Sequence, residues 1–200
     1  MTLAINKIIN SLLEIILFSL LPFLFWYFSA RKQERFTDWI GLKKIKGAKK
    51  TALAIIIVTT FYLLISLILL NSLKNIENAT TEFQGLRFAA LPAIFIYAVF
   101  NTSFPEEILF RGFILKRLAN KLGFTKANFI QGILFGLLHG VMFFPLVGNL
   151  KSILIILLTS LIALSMGYVN EKSSDGSIIP SWIIHAFSNF IAGLYAAFYI

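Results

Sequence analysis

Residues 88–118, "FAALPAIFIYAVFNTSFPEEILFRGFILKRL", decide what kind of molecule this is. The stretch is apolar and longer than the roughly 20 residues a helix needs to cross a bilayer. It nevertheless carries Pro92, Pro105, two adjacent glutamates and Arg111, and ends on basic Lys116 and Arg117. An unpaired charge at mid-bilayer costs about 2.5–3.5 kcal/mol even on a lenient insertion scale, so charges kept there mark pairing or function. The prolines predict a long tilted or kinked helix whose basic end runs along the membrane surface. A helix break between Asn101 and Phe104 is the competing expectation.

The rest of the chain fits that setting. Of 200 residues 58% are hydrophobic and only 14% charged, too few polar groups to cover a soluble domain. Besides 88–118, the stretches 8–28, 51–71, 127–145, 151–169 and 178–199 are apolar enough to span. The expected fold is an all-α, polytopic membrane bundle of about six transmembrane helices. It is read as a single membrane domain over 1–200, with its motif-bearing core at 88–199, in the cell membrane. The run 8–28 reads as a span and not a cleaved leader, because Phe28-Ser29-Ala30 lacks a small residue three before a cleavage point.

Basic residues orient the bundle. Arg31, Lys32, Arg35, Lys43, Lys44, Lys46, Lys49 and Lys50 crowd the 29–50 connection; Lys116, Arg117, Lys121 and Lys126 follow the third span, and Lys172 the fifth. The other side holds Lys7, Lys74, Arg87 and Lys151, so the count is thirteen against four. The positive-inside rule then places both termini outside. The net charge of +9 is thus a topology signal that also suits anionic lipid headgroups, and it argues against nucleic acid as a partner. Cysteine is absent, which excludes disulfides and thiol nucleophiles.

Inside the spans the ionisable groups reduce to Glu14, Glu106, Glu107, Arg111, His139 and His185. Glu107 and Arg111 are four apart and share a helix face, which suits an ion pair. Glu106, turned by about 100°, is left available. In "QGILFGLLHG" Gly132, Gly136 and Gly140 form a stripe that admits another backbone, with His139 beside it and Phe135 on the histidine's face. In "IIHAFSNF" His185 and Asn189 project together from the last span. Helical rise puts Glu106 about 15 Å from Lys116, His139 about 20 Å from Lys126 and His185 about 10 Å from Ile178. The three are able to meet in the middle or cytoplasmic half of the membrane.

A carboxylate and an imidazole in a pocket with limited water can deprotonate that water, and fixed donors can hold the oxyanion that follows its attack on a carbonyl. Peptide-bond hydrolysis is the reaction these parts fit best. Other readings remain open on the residues alone. The glutamates can simply neutralise Arg111, line an ion path, or join the histidines as zinc ligands, although no His-Glu-x-x-His is present. A transporter has little support without inverted repeats. Glu14 has no evident task beyond reaching the outer headgroups.

Three motifs in order carry a resemblance: Glu106-Glu107 with Arg111, Phe135 with His139, and His185 with Asn189. Together they resemble the CAAX prenyl endopeptidase and bacteriocin-processing family, also called abortive-infection (Abi) proteins, over 88–199. The resemblance implies a glutamate-dependent intramembrane protease in which Glu106 and His139 activate water. His185 and Asn189 would form the oxyanion site, with Glu107, Arg111 and Phe135 supporting it. It implies no metal or other cofactor, and a peptide or protein substrate, expected near the cytoplasmic face. Bacterial members of the family are linked to bacteriocin processing or immunity, which keeps a non-catalytic immunity or membrane-partner role as the alternative. The chain has fewer spans than the prenyl-protein proteases, and its composition looks bacterial. Nothing in the residues marks an oligomeric state.

Overall fold

A computed structural model describes residues 2–72 and 76–198; Lys74, counted above among the basic residues, lies outside them. Among the described residues all regular structure is helical. Five helices are long and apolar enough to cross a membrane: α1 (Thr2–Ser29), α2 (Ala48–Ser72), α3 (Arg87–Leu122), α4 (Phe124–Ser173) and α5 (Ile179–Phe198).

The bundle is built inside out relative to a soluble protein. Leucines and isoleucines of α1 point away from the protein, with Ile16 64% and Leu17 65% exposed, whereas Glu107, Arg111, Gln131 and Asn170 are fully buried. Lipid is the solvent that accepts such an exterior, while polar side chains find partners only between helices. The chain is a multi-pass membrane protein.

α3 is continuous where a break between Asn101 and Phe104 was the competing expectation. Two wide π-helical turns, Tyr97–Ser103 and Ile108–Leu115, lie on either side of Phe104–Glu107. Proline removes one N–H from the ladder, and a wider turn re-pairs the backbone without ending the helix. Pro105 is thus absorbed.

α4 contains one non-helical residue, Gly148, at φ 72°, ψ −177°, three residues after Pro145. Its two arms lie antiparallel. Gly132 faces Leu164, Gly136 faces Ser160 and Ile156, and Gly140 faces Ile156 and Ser152. The glycine stripe expected to admit another backbone therefore receives the second arm of its own helix. A Cβ on Gly136 would stand 2.5 Å from the Ile156 carbonyl oxygen. The stretches read as fourth and fifth spans fall on these two arms.

One end of the bundle collects the basic connections. Lys50 donates to the Lys172 carbonyl at 3.1 Å, Ser177 Oγ to the Lys43 carbonyl at 2.7 Å, and Lys116 Nζ pairs with Glu171 at 2.9 Å. Asp175 meets Lys46 at 2.7 Å, and that hydrogen bond holds its carboxyl below the ordinary carboxylate range. Arg117 lies over the Trp39 ring, with its guanidinium carbon 3.8 Å from the centroid. At the opposite end, residues 76–86 form a strap. Lys7 pairs with Glu82, and Phe83 is buried among Ala93, Ile94, Tyr97 and Ala197, against which Leu3 and Ala4 pack. Both described ends of the chain lie there, with Phe88 packing on Phe198.

Candidate active site

The polar centre forms where α3, α5 and both arms of α4 face one another. Glu107 is fully buried and fully engaged. Its Oε1 lies 3.1 Å from Arg111 Nη1 and 3.1 Å from His185 Nδ1, and its Oε2 accepts from Ser181 Oγ at 2.5 Å. The expected Glu107–Arg111 pair is present, one turn apart on α3. The guanidinium also lies 4.5 Å from the Phe135 ring centroid and donates toward Met166 Sδ at 3.7 Å. A buried arginine with no such surroundings would be too costly to keep.

Glu106 turns the other way. Its side chain is 18% exposed, and its Oε2 has no hydrogen-bond partner; the nearest charged group is His185 Nε2 at 3.8 Å. The two neighbouring carboxylates thus approach one imidazole from opposite sides. A carboxylate that accepts Nδ1–H fixes both the orientation and the tautomer of the ring. Glu107 positions His185, and Nε2 is thereby turned toward Glu106.

His139 is held differently. Its Nδ1 donates to the Phe135 carbonyl one turn back at 2.9 Å, and its ring stacks on the Phe135 ring at 4.4 Å between centroids. When the ring is neutral, that bond makes Nε2 its acceptor nitrogen. Phe135 also lies edge-on to Phe110 at 5.0 Å and 6.1 Å from the His185 ring. It forms a wall shared by both imidazoles and the buried guanidinium. Asn189, four residues after His185, donates through Nδ2 to Thr102 Oγ1 at 2.8 Å and more weakly to Ser103 Oγ at 3.4 Å.

Glu106, His139, His185 and Asn189 all line one cavity of about 390 Å³. Its remaining wall is mainly apolar and aromatic, including Tyr62, Tyr97, Met142 and Ile162. The four residues singled out for chemistry are thus brought together, and Phe135 joins them. Glu107 and Arg111 lie behind that wall. Glu14, half-buried on α1, does not line the cavity.

Several contributors escaped the sequence reading. Ser181 holds Glu107 and is itself held by Asn170, whose Nδ2 donates to Ser181 Oγ at 2.7 Å. The sequence did offer a signal: Ser181, His185 and Asn189 recur every four residues and share one face of α5. Tyr62, its ring 6.2 Å from that of His185, comes from α2 and so lies outside the motif-bearing half. Thr102 and Ser103, which hold Asn189, fall in the stretch where a helix break was the competing expectation.

As a metal centre the site fits poorly. Among the described residues no group of three or more His, Asp or Glu side chains is placed to hold an ion. Glu107, the best-placed candidate ligand, already accepts from Ser181 and His185 and is paired with the buried Arg111 cation.

No curated protein and no solved structure matches the chain. The family model for type II CAAX prenyl endopeptidase Rce1-like proteins matches residues 87–191, just over half of the sequence, and that segment contains every motif residue named above. Arg87, where the match starts, opens α3, and residue 191 lies two past Asn189, so the matched segment and the polar centre coincide. The chain therefore belongs to the Rce1-like CAAX endopeptidase family, whose members are peptidases of the membrane.

Proposed function

We propose that the chain cleaves a peptide bond in a peptide or protein tail by water attack, with Glu106 as the base. Support comes from a single observation: Glu106 is a carboxylate without a hydrogen-bond partner in a cavity that it shares with both histidines and Asn189, while its neighbour Glu107 is saturated. Glu106 takes a proton from water aligned by His139 Nε2, and the water oxygen bonds to the carbonyl carbon. The oxyanion is held by His185 Nε2–H and by an Asn189 N–H freed from the weaker Ser103 contact. Because Glu107 occupies Nδ1, His185 donates from Nε2 only when it carries both protons. Its positive charge then balances the second carboxylate, with Arg111 balancing the first. When the C–N bond breaks, the proton on Glu106 passes to the departing amine.

We further propose a single membrane domain crossing six times, with the two arms of α4 as separate crossings and both termini outside. The turn at Gly148 and the gathering of basic segments at the other end support this.

Glu106→Gln tests the reading. The base is lost while size and hydrogen-bonding shape are kept, so cleavage should fall by about 10²–10⁴ with the yield of folded protein unchanged. A non-catalytic immunity or partner protein would keep its cellular effect in this variant. Parental cleavage by Glu106→Gln would refute the mechanism.

A further inference from the structure

The cavity extends toward one end of the bundle. Its wall includes Glu77, Asn78, Ala79 and Thr80 of the strap and Leu146 beside the Gly148 turn. None of its lining comes from 29–50, 116–126 or 169–180, the segments that make up the basic end. On α3 the lining runs from Tyr97 to Glu106 and stops about 15 Å short of Lys116.

Between the cavity floor and the basic end lies a polar plug. Glu107, Arg111, Asn170 and Ser181 are each 0% exposed, and Met166 is 1% exposed. They are tied to one another by the ion pair and hydrogen bonds described above. A peptide approaching from the basic end would have to dismantle that network to reach Glu106. From the strap end it meets the cavity directly. The strap is anchored next to the residues that line the cavity. The Lys7–Glu82 pair and buried Phe83 anchor it, and Asn78 Oδ1 accepts from both the backbone N–H and the Oγ1 of Thr80.

We infer that substrate enters from the face opposite the basic belt, and that the protein acts on chains presented at the outer membrane face: exported peptides, or segments anchored in the outer leaflet. The inference rests on the peptidase reading above and on orientation by the basic residues. On this reading the substrate is presented on the side opposite the cytoplasmic face expected from the sequence.

The absence of native cysteine gives a clean test. Ala79→Cys at the cavity rim and Lys44→Cys in the basic belt are each treated with a membrane-impermeant maleimide in intact cells, and labelling is expressed relative to permeabilised cells. Ala79→Cys should label at least about tenfold more than Lys44→Cys; equal labelling, or the reverse, overturns the inference. In a second arm, a soluble fluorogenic peptide with an apolar cleavage site is added to right-side-out and inverted vesicles. Cleavage should occur in the right-side-out preparation, and cleavage confined to inverted vesicles overturns the inference. If no peptide is cut in either orientation or in detergent, the peptidase reading fails, while the labelling ratio still decides which face the cavity opens on.

Discussion

Removing one member of the Glu107–Arg111 pair should be far more damaging than removing both. Each side chain is fully buried, and they meet at 3.1 Å. Arg111→Met keeps an unbranched side chain against Phe135 and Met166 but leaves the Glu107 charge with only His185 and Ser181 as donors. Stranding a buried charge in this way costs about 3–5 kcal/mol. Glu107→Gln strands Arg111 instead, at a similar cost. In the double variant no charge is stranded, and what remains is the altered hydrogen bonding to His185 and Ser181, about 1 kcal/mol each. The double variant should therefore be more stable than either single one, by at least about 1 kcal/mol. Unfolding titrations in mixed detergent micelles, followed by tryptophan fluorescence, would measure all four proteins. If the two single costs simply add in the double variant, the pair is not an isolated buried couple and the account of why Arg111 is kept is wrong. Cleavage should stay low in the double variant even where stability returns, because Glu107 also orients His185.

Other outcomes follow from particular contacts. Gly136→Ala places a methyl 2.5 Å from the Ile156 carbonyl oxygen, so the α4 arms must separate. The expected cost is about 1–3 kcal/mol, read as a lowered melting temperature. Adding Ser160→Gly should restore only part of it, since the carbonyl remains; full restoration would argue against the backbone clash. Thr102→Val removes the acceptor that holds Asn189 at 2.8 Å. It should lower kcat by about tenfold, the loss of one correctly placed donor hydrogen bond, with little change in KM; a change confined to KM would place Asn189 in substrate binding. Chelator treatment followed by metal analysis should leave cleavage unchanged, and activity lost to the chelator and regained with zinc would revive the metal alternative.

The sequence made the polar centre legible because four-residue spacing on a helix determines which side chains share a face. Glu107 with Arg111, Phe135 with His139, and His185 with Asn189 needed little more than that rule and the expense of charge in lipid. Spacing does not determine rotamers or partners across helices. His185 was paired with Asn189 on its own helix, yet its Nδ1 is turned to Glu107 on another. Ser181 was invisible because a serine in a membrane helix usually bonds its own backbone carbonyl, as Ser188 does to Ile184 here. Pro105 signalled an irregularity without saying whether the helix would end or widen. Gly148 was overlooked as the turn between the two arms of α4. The strap at the cavity rim has neither the hydrophobicity nor the periodicity that drew attention elsewhere, and no rule of spacing links 77–80 to 106.

The wide turns of α3 also govern how the chain tolerates changes in length. Such a turn accommodates an extra residue within an otherwise ordinary helix. Deleting one residue between Tyr97 and Ser103 would let the helix close into regular turns by giving up that extra residue, and the residues from Phe104 onward would keep their phase with Leu91–Ile96. The same deletion within Leu91–Ile96, which has no residue to spare, would rotate everything downstream by about 100°, and Glu106 would swing away from the two imidazoles. Spacing along the regular part of α3 is therefore a stricter requirement than spacing within its wide turns, and a chain shortened in the regular part would be expected to insert but not cut.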